Sequence, residues 1–262
     1  MPVEELLFGG LTNAGLVTRV GDTVRRPRGP TSDASRAVLE HLEHVGFDGA
    51  PCFLGVDGQG REVLEFIPGQ AAIEPYQDWA LTDEALVGVA ELLSRYHDAV
   101  ASFDPTGHVW REFVPKEFRD AVISHNDPNL DNVIFSGGHA VALIDFDLAS
   151  PGSAVWDVAC AARLWVPLRD ERDAPEPVRG RWRERLQVFV DAYGLSVRDR
   201  ARVVDALIPA HEQCYRVVRS AVSDGHATFG HMWNGGGRRR AGRTRRWLAS
   251  HDAQMRALLR AR

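Results

Sequence analysis

Residues 125–147 constrain this chain more than any other stretch. They read His125-Asn126-Asp127-Pro128-Asn129-Leu130-Asp131-Asn132, then Val133-Ile134-Phe135, Ser136-Gly137-Gly138, the run Ala140 to Ile144, and Asp145-Phe146-Asp147. Val133 to Phe135 has the composition of a short strand, Ser-Gly-Gly is turn chemistry, and Ala140 to Ile144 is an apolar return strand. A tight hairpin of this kind brings its two polar ends, Asn132 and Asp145, side by side.

Those ends are rich in oxygen. Moving a phosphoryl group from a nucleoside triphosphate to a hydroxyl needs a carboxylate beside the attacking oxygen and oxygen ligands for Mg2+. Asp127 is suited to orient the hydroxyl and take its proton. Asn132 offers a neutral carbonyl oxygen to the metal, and Asp145 a hard anionic one. Either tripeptide alone, HxD or IDF, arises readily by chance. The two together with a hairpin between them form a specific combination.

The segment resembles the catalytic and metal-binding loops of the aminoglycoside phosphotransferase family, small-molecule kinases with a protein-kinase-like fold, and the resemblance extends along most of the chain. Asn126 stands where glycine is common in that family and Pro128 where leucine is frequent, and neither is a reacting group. The resemblance implies a two-lobe α+β fold. A small antiparallel-sheet lobe with one helix, residues 1–69, would bind nucleotide, and a larger, mainly helical lobe, residues 70–262, would carry both loops. It further implies Mg2+, ATP or GTP as co-substrate, and a small-molecule hydroxyl as acceptor, with an aminoglycoside-type antibiotic among the candidates.

In the amino-terminal part, residues 8–28 alternate strand-like runs and turns, with Gly21-Asp22 as a hairpin signal. Thr12 and Asn13 occupy the turn that resembles the family's nucleotide-binding loop. Kinases of this fold place a lysine on the next strand against the phosphates, but Lys116 is the sole lysine of the chain. Arg25 and Arg26 stand where that lysine is expected. Strand alternation puts Arg26 on the face of Val24, making it the first choice for the phosphate contact, with Arg25 on the opposite face. A helix follows Thr31-Ser32-Asp33, with Val38, Leu39, Leu42 and Val45 at helical spacing until Gly46. Its acids, Glu40 and Glu43, fall off the apolar face, so no partner glutamate for the phosphate-binding cation is expected from this helix. The run Leu64-Glu65-Phe66-Ile67-Pro68-Gly69 resembles the interlobe hinge, which implies purine contacts through the main chain of Glu65 and Ile67.

Helical periodicity dominates the remainder: Asp83 to Ala101, Val155 to Ala162, Arg181 to Tyr193, Ser196 to Val222 and Arg243 to Leu259, the last two separated by the stretch Gly230 to Gly237. His97 reads as a packing histidine. By the resemblance, Asp157 and His125 brace the catalytic loop. Asp170, Glu171, Asp173 and Glu176 form an acidic loop that reads either as solvated or as a greeting for a cationic acceptor.

A 262-residue chain with 44% hydrophobic residues is globular. Cys52, Cys160 and Cys214 are far apart, odd in number and lack CxxC spacing, so neither a disulfide framework nor a zinc site is indicated and buried free thiols are expected. The start of the chain carries no signal-like run and no apolar stretch reaches membrane-spanning length, so a cytoplasmic protein without a membrane partner is expected. A formal charge of −5 disfavours nucleic acid, despite the basic tract from Arg238 to Arg246. The absent lysine–glutamate pair leaves one alternative of another class, a nucleotide-binding pseudokinase acting as a regulatory or immunity module. A protein kinase is disfavoured because no activation segment is recognisable between Asp147 and Trp156.

Overall fold

The computed structural model describes residues 3–7 and 15–260. Thr12 and Asn13, expected in the nucleotide-binding turn, lie outside the described residues.

The amino-terminal part is built on β1 (Glu5–Leu6), β2 (Thr18–Val20) and β3 (Thr23–Arg26), followed by helix α1 (Ser32–His44) and then β4 (Phe53–Val56) and β5 (Glu62–Glu65). These strands form one antiparallel sheet in the order β1-β2-β3-β5-β4. Because α1 intervenes, β3 pairs with β5, and the register sets Arg26 directly opposite Glu62. Helix α1 buries Ser35, Val38, Leu39 and Leu42. Val45, expected in the same apolar stripe, instead lies at the C-cap and is 43% exposed, because the helix stops one residue before it.

The chain leaves β5 through Phe66 to Gly69 and enters the second part at β6 (Gln70–Ala71). Gly69 is needed there: a Cβ on it would sit 2.5 Å from the Phe135 carbonyl oxygen. Next come α2 (Asp83–Val100) and β7 (Val122–Ser124), then the expected hairpin, β8 (Val133–Ser136) and β9 (His139–Leu143), and then β10 (Ser150–Gly152). β6 adds to the hairpin as a third strand, while β7 and β10 pair with each other on either side of the two loops. The helices α3 (Ala154–Trp165), α4 (Trp182–Tyr193), α5 (Val197–Ser223), α6 (Ala227–Met232) and α7 (Arg238–Arg260) complete the larger part.

Local chemistry accounts for the helix ends. The side chains of Ser153 and Ser196 cap α3 and α5, and Gly194 takes a left-handed conformation, φ 84°, to end α4. Between Gly230 and Gly237 the expected break takes the form of a kink. A π-helical turn spans Trp233–Gly237, and Gly236, at φ 121°, leaves the helical conformation between α6 and α7. Beyond the kink α7 packs on α5. One hydrophobic core, with Tyr96, Trp156, Trp165, Phe146 and Phe189 fully buried, supports both loops from below. No helix among the described residues is long and apolar enough to cross a membrane.

Candidate active site

The catalytic loop is held from beneath by one carboxylate. Asp157, in the first turn of α3 and 0% exposed, accepts the backbone N–H of His125 at 2.6 Å and that of Asn126 at 2.7 Å. His97 Nε2 lies 3.0 Å from Asp157, and Tyr193 Oη sits 2.6 Å from the other ring nitrogen. A buried carboxylate is tolerated only with such a set of partners. His97 is therefore more than packing, since it carries a chain of hydrogen bonds from α4 to the loop.

Asn126 has φ 69°, a left-handed conformation that asparagine and glycine tolerate. Its Nδ2 donates to the Leu148 carbonyl (2.7 Å) and Ser150 Oγ (2.9 Å), and its Oδ1 accepts from Trp156 Nε1 (2.9 Å). A glycine would supply the turn but none of these ties. His125 is fully buried and lies between the two loops, with Nε2 3.0 Å from the Ile144 carbonyl and Nδ1 3.3 Å from the Asp127 amide. Burial lowers its pKa. A neutral ring with its proton on Nε2 satisfies both contacts.

Above this base sit the groups expected to do chemistry. Asp127 accepts from the Asn129 side chain and from Asn132 Nδ2 (2.9 Å), which also donates to the Asp127 carbonyl (2.9 Å). With its nitrogen so engaged, Asn132, which lines the cavity, keeps Oδ1, the hard neutral oxygen, for another partner. Asp145 stands at φ 63°, an uncommon conformation for a residue with a side chain. Burial, then the charges of Asp145 and Asp131, push the Asp127 carboxyl up to about 8. Burial, then the charge of Asp147, lift Asp145 to about 6, against the pull of Arg26.

This cluster of acids fits a hard divalent cation: it holds carboxylate and amide oxygens and has too little positive charge of its own. Among the described residues no three His, Cys, Asp or Glu side chains already converge on one point. The protein thus offers part of a coordination shell, as Mg2+ sites completed by phosphate oxygens and water do.

Arg26 supplies a cation beside Asp145 and Asp147. It is 6% exposed, with Nε 2.7 Å from Glu62, Nη1 2.8 Å from Asp147 and 3.4 Å from Asp145. Burial works against its charge, yet Asp147, Glu62 and Asp145 together raise its pKa. The ion pair expected to be missing is therefore present, with its glutamate on β5 rather than α1. The reason is register, which places Glu62 across from Arg26. Helix α1 instead reaches the metal loop with hydroxyls, Ser35 Oγ to the Phe146 carbonyl (2.9 Å) and Thr31 Oγ1 to the Asp147 carbonyl (3.2 Å).

A cavity of about 270 Å3 opens between the sheet and the hairpin, lined by Val24, Arg26, Leu64, Glu65, Ile67, Asn132, Ile144 and Asp145 among others. It thus gathers the hinge residues, Arg26 and the metal-loop groups. Arg25 is not brought there. Strand alternation turns it to the opposite face, where Nη1 donates to Thr23 Oγ1 (2.6 Å) and Nε lies 3.8 Å from Asp57. Sequence reasoning missed Glu62, Asp147, Asn129 and the part played by His97. Only Asp147, two residues after Asp145, carried a local signal.

The acidic loop after α3 is largely neutralised. Asp170 pairs with Arg172 (2.9 Å), whose hydrogen bonds hold its carboxyl well below the usual range, and Asp173 pairs with Arg243 (2.8 Å).

A small antiparallel sheet with one helix, a mainly helical second lobe, and a hairpin presenting an aspartate, an asparagine and a second aspartate to the cleft define a protein-kinase-like small-molecule kinase fold. The chain belongs to the phosphotransferase enzyme family, whose aminoglycoside phosphotransferases its loops resemble. The "Phosphotransferase enzyme family" sequence model matches residues 106–203, which include both loops. Trifolitoxin immunity protein of Rhizobium leguminosarum bv. trifolii is 33% identical over 264 residues, covering 97% of each chain. Among solved structures, a choline/ethanolamine kinase family protein from Mesorhizobium loti superposes with a TM-score of 0.64 at 17% identity, covering 98% of this chain and 92% of that one. The GDP complex of aminoglycoside 2'-phosphotransferase-IIIa superposes with a TM-score of 0.55 at 14% identity, covering 96% and 93%.

Proposed function

We propose that the chain transfers the γ-phosphoryl group of ATP or GTP to a hydroxyl of a small molecule. The observation that carries this reading is a cavity lined by Asn132, Asp145 and Arg26, with Asp127 hydrogen-bonded to Asn132 and Arg26 anchored by Glu62. In this reading residues 1–69 form the nucleotide-binding lobe and 70–262 the lobe with the acceptor. Asn132 and Asp145 hold Mg2+, which neutralises charge on the phosphates when bound. Arg26 contacts phosphate, and Asp127 receives the proton of the attacking hydroxyl. The Glu65 amide is taken up by the Cys52 carbonyl (3.0 Å), so the purine edge is left the Glu65 carbonyl and the Ile67 N–H at the cavity rim. His125 and Asp157 keep the two loops in register. Free cysteines and dependence on nucleoside triphosphate fit a cytoplasmic site of action.

An aminoglycoside acceptor drew its sequence support from the acidic loop, and Asp170 and Asp173 there are already paired with arginines. The immunity reading is favoured by one specific observation, the likeness to trifolitoxin immunity protein. It does not require a pseudokinase, since a transferase that modifies a toxin also confers immunity, and the Arg26–Glu62 pair removes the main motive for supposing inactivity. The test is γ-phosphoryl transfer to a panel of hydroxyl compounds, with Asp127→Asn as control. Transfer by the wild type alone supports the reading. Equal turnover by both excludes Asp127 as base, and Mg2+-dependent nucleotide binding with no transfer to any acceptor favours the binding module.

A further inference from the structure

Among the described residues two neighbouring arginines, Arg163 in α3 and Arg169 just after it, form no ion pair with a carboxylate. Arg163, in the last turn of α3, is 6% exposed, and among the described residues its side chain makes one hydrogen bond, from Nη2 to Cys214 Sγ at 3.0 Å. Its Nε is buried with no acceptor at all. Arg169 Nη2 lies 3.4 Å from the Arg163 backbone carbonyl, and neither guanidinium forms an ion pair with a carboxylate among the described residues. Burying such a charge without a partner is costly.

The contrast within the molecule is Arg185. It too is buried and leaves Nε unpartnered, but its Nη1 lies 2.7 Å from Asp83 and also donates to the carbonyls of Leu81 and Thr82, and its Nη2 donates to that of Trp165. That is what a structural arginine looks like here. Among the described residues no carboxylate forms an ion pair with Arg163, although burial, which works against its charge, is outweighed by its neighbours, the more distant Asp127 among them. Cys214 stays a thiol, because burial pushes its pKa up despite the guanidinium beside it. His211 stays neutral, pushed down to about 4 by burial and by Arg163, with Nε2 on the Ala241 carbonyl (2.9 Å) and Nδ1 buried without a donor. Burial and the neighbouring Arg163 lower the pKa of Arg169.

The position of this pair follows from α3, which runs along the catalytic loop. Asp157 at one end holds the amides of His125 and Asn126, and Trp165 at the other donates to the Pro128 carbonyl at 2.9 Å. Arg163 lies between these anchors, and its charge acts on Asp127. The acceptor hydroxyl must come to the same carboxylate.

We propose that Arg163, supported by Arg169, forms the acceptor subsite and binds an anionic group, so that the acceptor is a hydroxyl compound bearing a carboxylate and not a polycation. This rests on the phosphotransfer reading above. The carboxylate pairs with the planar guanidinium fork, which also satisfies the orphaned Nε. The substrate hydroxyl oxygen then forms a bond to the γ-phosphorus while the bond from that phosphorus to the β–γ bridging oxygen breaks. The hydroxyl proton passes to Asp127, and the nucleoside diphosphate leaves.

The experiment has a binding arm and a transfer arm. Calorimetry with Mg2+ and a non-hydrolysable ATP analogue compares N-acetylserine, glycerate and tartrate with the amides of the same compounds, and with choline and kanamycin. The carboxylates are expected to bind at least about 30-fold more tightly than the amides, and Arg163→Met to abolish that preference without changing nucleotide affinity. Arg163→Lys keeps the charge but not the fork and should retain part of it. Should Arg163→Met not fold, the wild-type preference and Arg169→Gln still decide the question. Absence of carboxylate preference in the wild type, or tighter binding of choline or kanamycin, overturns the proposal. Transfer of γ-phosphate to neutral or cationic compounds with unaltered efficiency in Arg163→Met overturns it while leaving the phosphotransfer reading intact. Arg163-dependent carboxylate binding without transfer upholds the subsite and rejects the phosphotransfer reading instead.

Discussion

Asp157 and Asp127 serve the same loop from opposite sides, and their surroundings differ in kind. Asp157 sits beneath the loop with two backbone amides and His97 as partners. Asp127 sits above it, facing other acids, and is lifted to about 8 by burial and by the charges of Asp145 and Asp131. The lower carboxylate is matched by the fold itself. The upper one is left poorly matched until a cation and a substrate arrive. Structural rigidity and chemical readiness are thus separated by the thickness of one loop.

Substitutions can break this comparison, the largest effect first. Asp127→Asn is expected to lower kcat by about 1,000-fold, in line with loss of a general base, while the thermal midpoint holds or rises. Initial rates and a melting curve on the same preparation check both. Asp157→Ala is expected to do the reverse in emphasis: it leaves two buried amides without an acceptor and costs about 2–5 kcal/mol in urea unfolding. If Asp157→Ala kept full stability, the contrast drawn here would be wrong. Glu62→Gln removes one carboxylate from Arg26 and leaves it drawn toward Asp145 and Asp147. It is expected to raise the nucleotide KM by about tenfold, with a smaller loss of stability, about 1–3 kcal/mol.

A subtler effect lies in pH. Burial and neighbouring charges push the Asp127 carboxyl up to about 8 in the folded chain, far above the ordinary aspartate range, so between those limits the folded state binds more protons than the unfolded one. Stability from this group therefore falls as pH rises through that window. In metal-free buffer the wild-type melting temperature should lose ground to Asp127→Asn from pH 5 to pH 8, and Mg2+ with nucleotide should reduce the difference. Using the difference between variants removes the opposing trend of His211, whose depressed pKa makes stability rise with pH. Smallest of all, Arg25→Ala, on the outer face of β3, should alter stability by no more than about 0.5 kcal/mol and leave the nucleotide KM unchanged.

Much of the site was legible because it is local. Asp127, Asn132 and Asp145 are joined by a hairpin whose turn is written in Ser136-Gly137-Gly138, and the structure forms that hairpin. Strand alternation sufficed to choose Arg26 over Arg25. The glutamate for Arg26 was not legible, since it depends on how β3 and β5 pair across an inserted helix. It lies on β5, two elements beyond the helix α1. The break in the glycine-rich stretch, by contrast, was legible locally, since the chain kinks at Gly236.

By itself the sequence determined the oxygen-bearing loops, the order of strands and helices, and the absence of a lysine for phosphate in the amino-terminal part, because each depends on neighbours close along the chain. Only the tertiary structure decided which charges meet. Arg26 found Glu62, Asp145 and Asp147, whereas among the described residues Arg163 forms no ion pair with a carboxylate. Charge matching acts through space over a few ångströms, and residues that near in the fold are dozens apart in the chain.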